Sequence, residues 1–211
     1  MRRFLGLALA TIILNSCNGI FSGLYDKKPE ATEPFGFVEV NTDGSGTIFI
    51  DTREYTNWVY VDLKNKRTAT IDMTGVEPEP AHWDFAVHRY DVKTNGGMAA
   101  ETSCSEPCQL TGDCVPEPDV FVADTASKVM VDLSGMMDGN IVYQESNINK
   151  VLSKWLNVDT STMPPIYTLS RKVYLLRLDD GSMAALLFSD FMDDASVKGY
   201  VTIKYVYPLD C

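Results

Sequence analysis

The chain has 211 residues and a net charge of −11, from 29 acidic and 18 basic side chains. Such a surface repels nucleic acid, and the sequence has no basic stripe that would offset the repulsion, so nucleic-acid binding is excluded. The length suits a single domain with a sizeable core.

The N-terminus has the features of an export signal. Two arginines precede an apolar run that is too short to span a bilayer, which indicates a signal peptide over residues 1–16. The run ends in Leu14-Asn15-Ser16-Cys17, which looks like a bacterial lipobox, so Cys17 is the predicted lipidation site and membrane tether. An ordinary signal peptide with a chance cysteine is the alternative. Signal removal leaves 16 basic and 29 acidic side chains, a net charge of −13.

Residues 17–34 have no hydrophobic periodicity and are predicted to be a flexible tether, followed by one domain over residues 35–211. Short alternating runs rich in β-branched and aromatic residues predict a mostly β, single antiparallel β-sheet-rich domain. The predicted strands cover residues 35–40, 47–50, 58–63, 68–73, 128–133, 173–178, 183–188 and 200–207. The last three should form a meander, because Asp179-Asp180-Gly181-Ser182 is a strong hairpin turn.

Residues 82–97 are expected to form one strand that runs into the turn at Asn95-Gly96-Gly97. Met98 follows, and a cysteine-bearing loop of about 30 residues precedes the next convincing strand. A loop of that length is usually functional or disordered in a compact domain.

One short amphipathic helix is predicted over residues 147–156. Its apolar residues recur at spacings of three and four and so share one face: Ile148, Val151, Leu152, Trp155 and Leu156.

Four cysteines remain once Cys17 is lipidated. An even number in an exported protein favours two disulfides among Cys104, Cys108, Cys114 and Cys211, with three possible connectivities. The spacing of the first three is not that of a zinc site.

No catalytic constellation is recognisable, and we predict that the protein is not an enzyme. A nucleophile in a G-x-S-x-G turn is absent. His88 lies within a predicted strand and is expected to be a hydrogen-bonded structural residue, whereas His82 should be exposed.

Methionines outside the predicted strands are the remaining candidates for chemistry. Met98 follows the glycine turn, and Met136 and Met137 lie in a segment framed by glycines. Thioether sulfur is a soft, neutral donor that can serve as an axial ligand of haem iron. Burial in the core or beneath a loop is the alternative reading of these residues.

Several segments together resemble the HmuY-type haem-binding lipoproteins of Gram-negative anaerobes, which are hemophore-like. They are WDFAVHRY at 83–90 with KTNGG at 93–97, NKVLSKWL at 149–156, STMPP at 161–165, Asp180-Gly181 followed by Ala184-Ala185, and IKYVYP at 203–208. Each is weak alone, but in this order they are strong evidence of membership.

The resemblance implies a protein that captures haem, iron protoporphyrin IX, and passes it to an outer-membrane receptor during iron acquisition. It also implies an outer-membrane lipoprotein, on the periplasmic or cell-surface face, that can be shed. Family members hold the iron with two loop side chains, histidines in the best-known member and methionines in some relatives. The expected iron ligands here are Met98 with Met136, or with Met137. The alternative is a non-haem binding lipoprotein whose aromatic side chains, such as Tyr55, Trp58 and Tyr143, line a groove for a glycan, peptide or partner protein.

Overall fold

The computed structural model describes residues 35–107 and 120–209. The predicted signal peptide, tether and lipidation site, and Cys108, Cys114 and Cys211, lie outside the described residues. Within the described ranges, every helix is too short to cross a bilayer.

The fold is mostly β, as predicted, and the strands form two antiparallel sheets and two separate hairpins. The strands are β1 (Gly36–Val40), β2 (Ser45–Asp51), β3 (Asn57–Asp62), β4 (Arg67–Asp72), β5 (Phe85–His88), β6 (Asp91–Thr94), β7 (Met98–Glu101) and β8 (Val122–Ala123). They continue with β9 (Thr125–Gly135), β10 (Asn140–Ile148), β11 (Leu156–Asp159), β12 (Ile166–Leu169), β13 (Tyr174–Arg177), β14 (Met183–Met192) and β15 (Lys198–Val206). Two 3₁₀ helices cover Met136–Asp138 and Leu152–Trp155.

The larger sheet has seven strands in the order β1-β2-β15-β14-β13-β7-β8, and the smaller has four in the order β4-β3-β5-β6. The predicted meander is confirmed, because β13, β14 and β15 are adjacent and antiparallel. Ser182 donates its backbone N–H to a carboxylate oxygen of Asp180 at 2.9 Å, which stabilises the turn between β13 and β14.

The main core lies between the two sheets. Strand β3 buries side chains on both faces of the smaller sheet. Val59 and Val61 join the main core, whereas Trp58 and Tyr60 join a second cluster on the other face. The hairpin β9–β10 covers this second cluster by burying Val129 and Val131 against it. Burial of apolar side chains on both faces explains why β3 is almost continuously apolar.

The prediction of one continuous strand over residues 82–97 is wrong. The segment forms two strands, β5 and β6, joined by a tight turn in which Arg89 adopts a left-handed conformation with φ of 52°. The turn has no glycine or proline, so the sequence carries no conventional signal for it. The expectation of a loop starting at Met98 is also wrong, because Met98 begins β7.

The predicted helix over residues 147–156 is reduced to one short 3₁₀ helix. Ile148 ends β10 and Leu156 begins β11, so only Leu152–Trp155 is helical. The side-chain carbonyl of Asn149 accepts the N–H groups of Val151 and Leu152 and thereby caps this turn. The apolar residues at helical spacing do not share one face, because Ile148 packs on the second cluster whereas Val151, Leu152, Trp155 and Leu156 pack on the main core.

Candidate functional site

The two hairpins outside the sheets carry a group of exposed apolar side chains. Six large hydrophobic residues lie exposed on them: Met136, Met137, Val142, Tyr143, Met163 and Ile166. Exposure of thioethers and large aliphatic groups costs free energy in water, so a cluster of this kind marks an interaction site. The hairpins are therefore the candidate functional site.

The tip of the β9–β10 hairpin presents two methionines. Met136 and Met137 occupy the 3₁₀ helix between the strands and are 49% and 91% exposed. Gly139 closes the turn with φ of 77° and donates its N–H to the Met136 carbonyl at 3.1 Å. Only residues that tolerate a positive φ fit there, and this conformation leaves the preceding side chains facing solvent.

The base of this hairpin is fixed by a buried polar network. Asp124 accepts both the backbone N–H and the hydroxyl of Thr94, at 2.7 and 2.9 Å. Asn149 donates its amide to the same carboxylate at 3.1 Å and to the Val122 carbonyl at 2.8 Å. Because these buried groups satisfy each other, the network specifies one position for the hairpin on strand β6.

The tip of the β11–β12 hairpin presents Met163, which is 86% exposed. Asp159 accepts the backbone N–H of Ser161 at 2.9 Å, and the hydroxyl of Thr162 donates to the Pro164 carbonyl at 3.2 Å. These local bonds shape the turn around Met163 without burying it.

Both hairpins are anchored to the same short segment of chain. The backbone N–H of Asn149, at the end of the first hairpin, donates to the Val92 carbonyl at 2.7 Å. The indole N–H of Trp155, at the start of the second, donates to the Tyr90 carbonyl at 3.0 Å. Ser153, between them, accepts the Val92 N–H on its hydroxyl at 2.9 Å. The two hairpins thus project from attachment points only two residues apart.

The structure places Met98 at the opposite end of the first hairpin from Met136. Met98 pairs with Ala123 of β8, two residues before β9 begins, whereas Met136 follows the end of β9. At about 3.3 Å per residue, the 11 residues of β9 span on the order of 35 Å. Met98 is half-buried, and its sulfur accepts a hydrogen bond of 3.1 Å from the guanidinium of Arg177.

The two histidines lie where the sequence predicted. His88 is buried, and its Nε2 donates to the Tyr55 carbonyl at 2.6 Å, which confirms a structural role. His82 is exposed. Among the described residues, no group of three or more histidine, cysteine or acidic side chains could hold a metal ion.

The other expectations have mixed outcomes. Of the three aromatic residues expected to line a groove, Trp58 is buried, Tyr55 lies under the guanidinium of Arg89, and Tyr143 is exposed. Cys104 is buried, but its three potential partners lie outside the described residues, so the two disulfides stay a prediction.

Sequence reasoning did not assign a role to Met163. The available signal was its setting, because serine, threonine and two prolines surround it and predict a turn rather than a strand.

A β-sandwich with two projecting hairpins and exposed apolar tips defines a class of binding protein that presents ligand-contacting loops on a rigid scaffold. The family model described as HmuY protein matches residues 54–205. The chain belongs to the HmuY family.

Solved structures support this membership. A protein of Bacteroides vulgatus, assigned as an HmuY-like haem-binding protein, is 45% identical with a TM-score of 0.80, over 84% of this chain and 100% of that one. A protein of Bacteroides fragilis, assigned as a lipoprotein, is 43% identical with a TM-score of 0.79, over 87% and 100%. The apo HmuY analogue of Tannerella forsythia is 27% identical with a TM-score of 0.66, over 79% and 96%. No curated protein sequence matches the chain.

Proposed function

We propose that this protein is a haem-binding lipoprotein without enzymatic activity, and that it holds the porphyrin between its two hairpins. Met163 would supply one axial sulfur ligand. Met136, or Met137 beside it, would supply the other. The observation that carries the proposal is the exposure of thioethers at the tips of both hairpins. The haem-binding assignment of the B. vulgatus relative supports it.

The donor set fits haem iron. Thioether sulfur is neutral and soft, and methionine is an established axial ligand of haem. Val142, Tyr143 and Ile166 add exposed apolar surface near the two tips, and apolar contact with a porphyrin supplies most of the affinity in such sites. The hairpins therefore offer both the ligands and the surface that haem needs.

Met163 is a better partner for Met136 than Met98, which the sequence favoured. One iron atom binds both axial ligands on opposite sides of a single plane, so the two sulfur atoms must come close together. Met98 lies at the base of the hairpin that carries Met136 at its tip, and its sulfur already accepts a bond from Arg177. Met163 lies at the tip of a separate hairpin and has a solvent-exposed side chain.

The same proposal includes the cellular role. Acylated Cys17 would tether the domain to the outer membrane through residues 17–34, on the periplasmic or cell-surface face, with shedding as a further option. A receptor in that membrane would take the haem for iron acquisition. The assignment of the B. fragilis relative as a lipoprotein supports the anchor.

The test is an absorption titration of residues 35–211 with haemin, carried out with and without dithionite. Each candidate methionine is replaced by leucine, which keeps size and apolarity but removes the sulfur donor. We expect Met163→Leu and Met136→Leu to lose the low-spin spectrum of the reduced complex. If Met137 rather than Met136 is the ligand from the first tip, Met137→Leu will lose the low-spin spectrum and Met136→Leu will keep it.

Met98→Leu is the matched control and should bind haem as the parent does. A parent protein that gives no Soret shift at micromolar concentration, oxidised or reduced, would contradict haem binding. A parent-like spectrum for Met163→Leu with a lost spectrum for Met98→Leu would restore the ligand pair that the sequence favoured.

A further inference from the structure

Two cationic side chains that have no carboxylate partner in the described part of the chain lie beside the β11–β12 hairpin. We call the group Arg89, Tyr90, Tyr167 and Lys198 the cationic tyrosine cluster. Tyr167 belongs to β12, the strand that returns from the Met163 turn, and Lys198 begins β15.

The four side chains form a continuous chain of contacts. Arg89 Nη2 donates to the Tyr90 hydroxyl at 3.2 Å, and this hydroxyl donates to that of Tyr167 at 3.4 Å. The Lys198 ammonium lies 3.8 Å from the centroid of the Tyr167 ring. The turn between β5 and β6, strand β12 and the start of β15 thus bring together two positive charges and two phenol groups.

Neither charge is neutralised by an acidic side chain of the described residues. Arg89 Nη1 donates to the backbone carbonyls of Thr52 and Arg53, at 3.3 and 2.9 Å. The carboxylate of Asp193, on the turn before Lys198, accepts the backbone N–H of Val197 at 2.8 Å, whereas the Lys198 ammonium lies over the Tyr167 ring. In a chain with a net charge of −11, two neighbouring cations that lack acidic partners favour an anionic ligand.

The guanidinium of Arg89 is held in place by its surroundings. Its ring contact with Tyr55 is 4.3 Å, and a Cβ atom on Gly199 would come within 3.0 Å of Arg89 Nη1. Glycine at position 199 therefore leaves the space that the guanidinium occupies. Burial raises the pKa of Tyr90 above its ordinary value, so its hydroxyl keeps its proton at neutral pH and remains a donor.

We propose that the cationic tyrosine cluster binds a carboxylate of the ligand, namely a propionate of haem, with Lys198 and the Tyr167 hydroxyl as the contacting groups. The inference rests on the proposed haem function and adds to it the site that orients the porphyrin edge. Tyr167 follows Met163 by four residues, so a porphyrin whose iron is bound at Met163 has the cluster on the side of the hairpin base. Arg89, held by its backbone contacts, would act by orienting the Tyr90 and Tyr167 hydroxyls.

The experiment compares haemin with its dimethyl ester, in which both propionates are uncharged, each added from dimethyl sulfoxide to the parent, Lys198→Gln and Tyr167→Phe proteins. We expect each variant to raise the Kd for haemin about 3- to 10-fold, the size of one partly exposed charge-assisted hydrogen bond. The same variants should bind the dimethyl ester as the parent does.

Lys64→Gln is the matched control, because Lys64 is an exposed lysine in the turn after β3, at the far end of that strand from Tyr55. Lys64→Gln changes the net charge as Lys198→Gln does but lies outside the cluster, so it should leave the Kd for haemin unchanged. Equal losses for haemin and its ester, or parent-like binding of haemin by both cluster variants, would overturn the proposal. A parent protein that binds neither porphyrin overturns the haem function itself, and the parent titration alone reports that outcome.

Discussion

The indole N–H of Trp155 donates a hydrogen bond of 3.0 Å to the carbonyl of Tyr90, although 65 positions separate the two residues in the sequence. The indole ring is fully buried and stacks on Phe188 at 4.8 Å between centroids. This contact joins the start of the β11–β12 hairpin to the turn between β5 and β6.

Trp155→Phe should lower the free energy of unfolding by about 1 to 3 kcal/mol. Phenylalanine can keep the stacking on Phe188 but leaves the Tyr90 carbonyl without this donor. Urea unfolding followed by circular dichroism measures the change, with Trp155→Ala as the larger perturbation of about 3 to 5 kcal/mol. Equal stability of the Trp155→Phe protein and its parent would show that the hydrogen bond contributes nothing net.

Asn149→Ala should lower the free energy of unfolding by about 2 to 3 kcal/mol, since it leaves buried partners at the base of the β9–β10 hairpin unsatisfied. Asn149 is fully buried and bonds to Asp124, Val122 and the capped 3₁₀ turn. Hydrogen exchange of the β9 and β10 amides should also become faster. Asn147→Ala, at an exposed position of β10, is the control and should change stability by less than about 0.5 kcal/mol.

The contribution of Asp84 to the free energy of unfolding should decrease as pH rises above the ordinary pKa of aspartate. Burial raises the pKa of Asp84 above its ordinary value of 3.8, and the charges of Asp62 and Asp180 raise it further. The folded state therefore holds this proton more tightly than the unfolded chain does, so its contribution is present at low pH and is lost as pH rises through the folded pKa.

The measurement is the difference in unfolding free energy between Asp84→Asn and the parent from pH 3 to pH 7. Asparagine keeps an acceptor for the Leu63 N–H, which lies 2.6 Å from the Asp84 carboxylate. The difference should move in favour of the variant as pH rises. A flat profile, or one of opposite slope, would contradict the raised pKa.

Reduction of the iron should tighten haem binding if both axial ligands are thioethers. Neutral sulfur favours ferrous over ferric iron, so the reduction potential of bound haem rises, by ~59 mV for each tenfold preference in affinity. Anaerobic titrations of ferric and ferrous haem give the two affinities. The Met136→Leu, Met163→Leu double variant should lose the preference, and a parent that binds ferric haem more tightly would argue for a ligand other than methionine.

The sequence was sufficient for the strands with simple alternation. The meander of β13, β14 and β15 could be read from period-two patterns and one strong turn at Asp180-Gly181. The turn at Arg89 could not, because a non-glycine residue with a positive φ gives no compositional signal and is held by the tertiary contacts of its guanidinium.

The site was only partly accessible to sequence reasoning for a related reason. The glycine frame around Met136 and Met137 indicated a turn, and the structure places both residues at a hairpin tip. Met98 also follows two glycines, yet it enters β7, which lies between β13 and β8 in the larger sheet, because pairing with Arg177 and Ala123 depends on strands distant in sequence. Exposure of Met163 likewise depends on which strands leave the sheets, and local patterns do not encode that.

The attachment of both hairpins at residues 90–92 has a consequence for how the proposed ligand would leave the protein. Neither hairpin shares a strand with the two sheets, so the tips can move apart without breaking hydrogen bonds within either sheet. Movement of one hairpin therefore costs the free energy of its local contacts rather than the global stability of the fold. Release of a ligand held between the hairpins, as proposed above, would then be a local opening about residues 90–92 that leaves the scaffold ready to bind again.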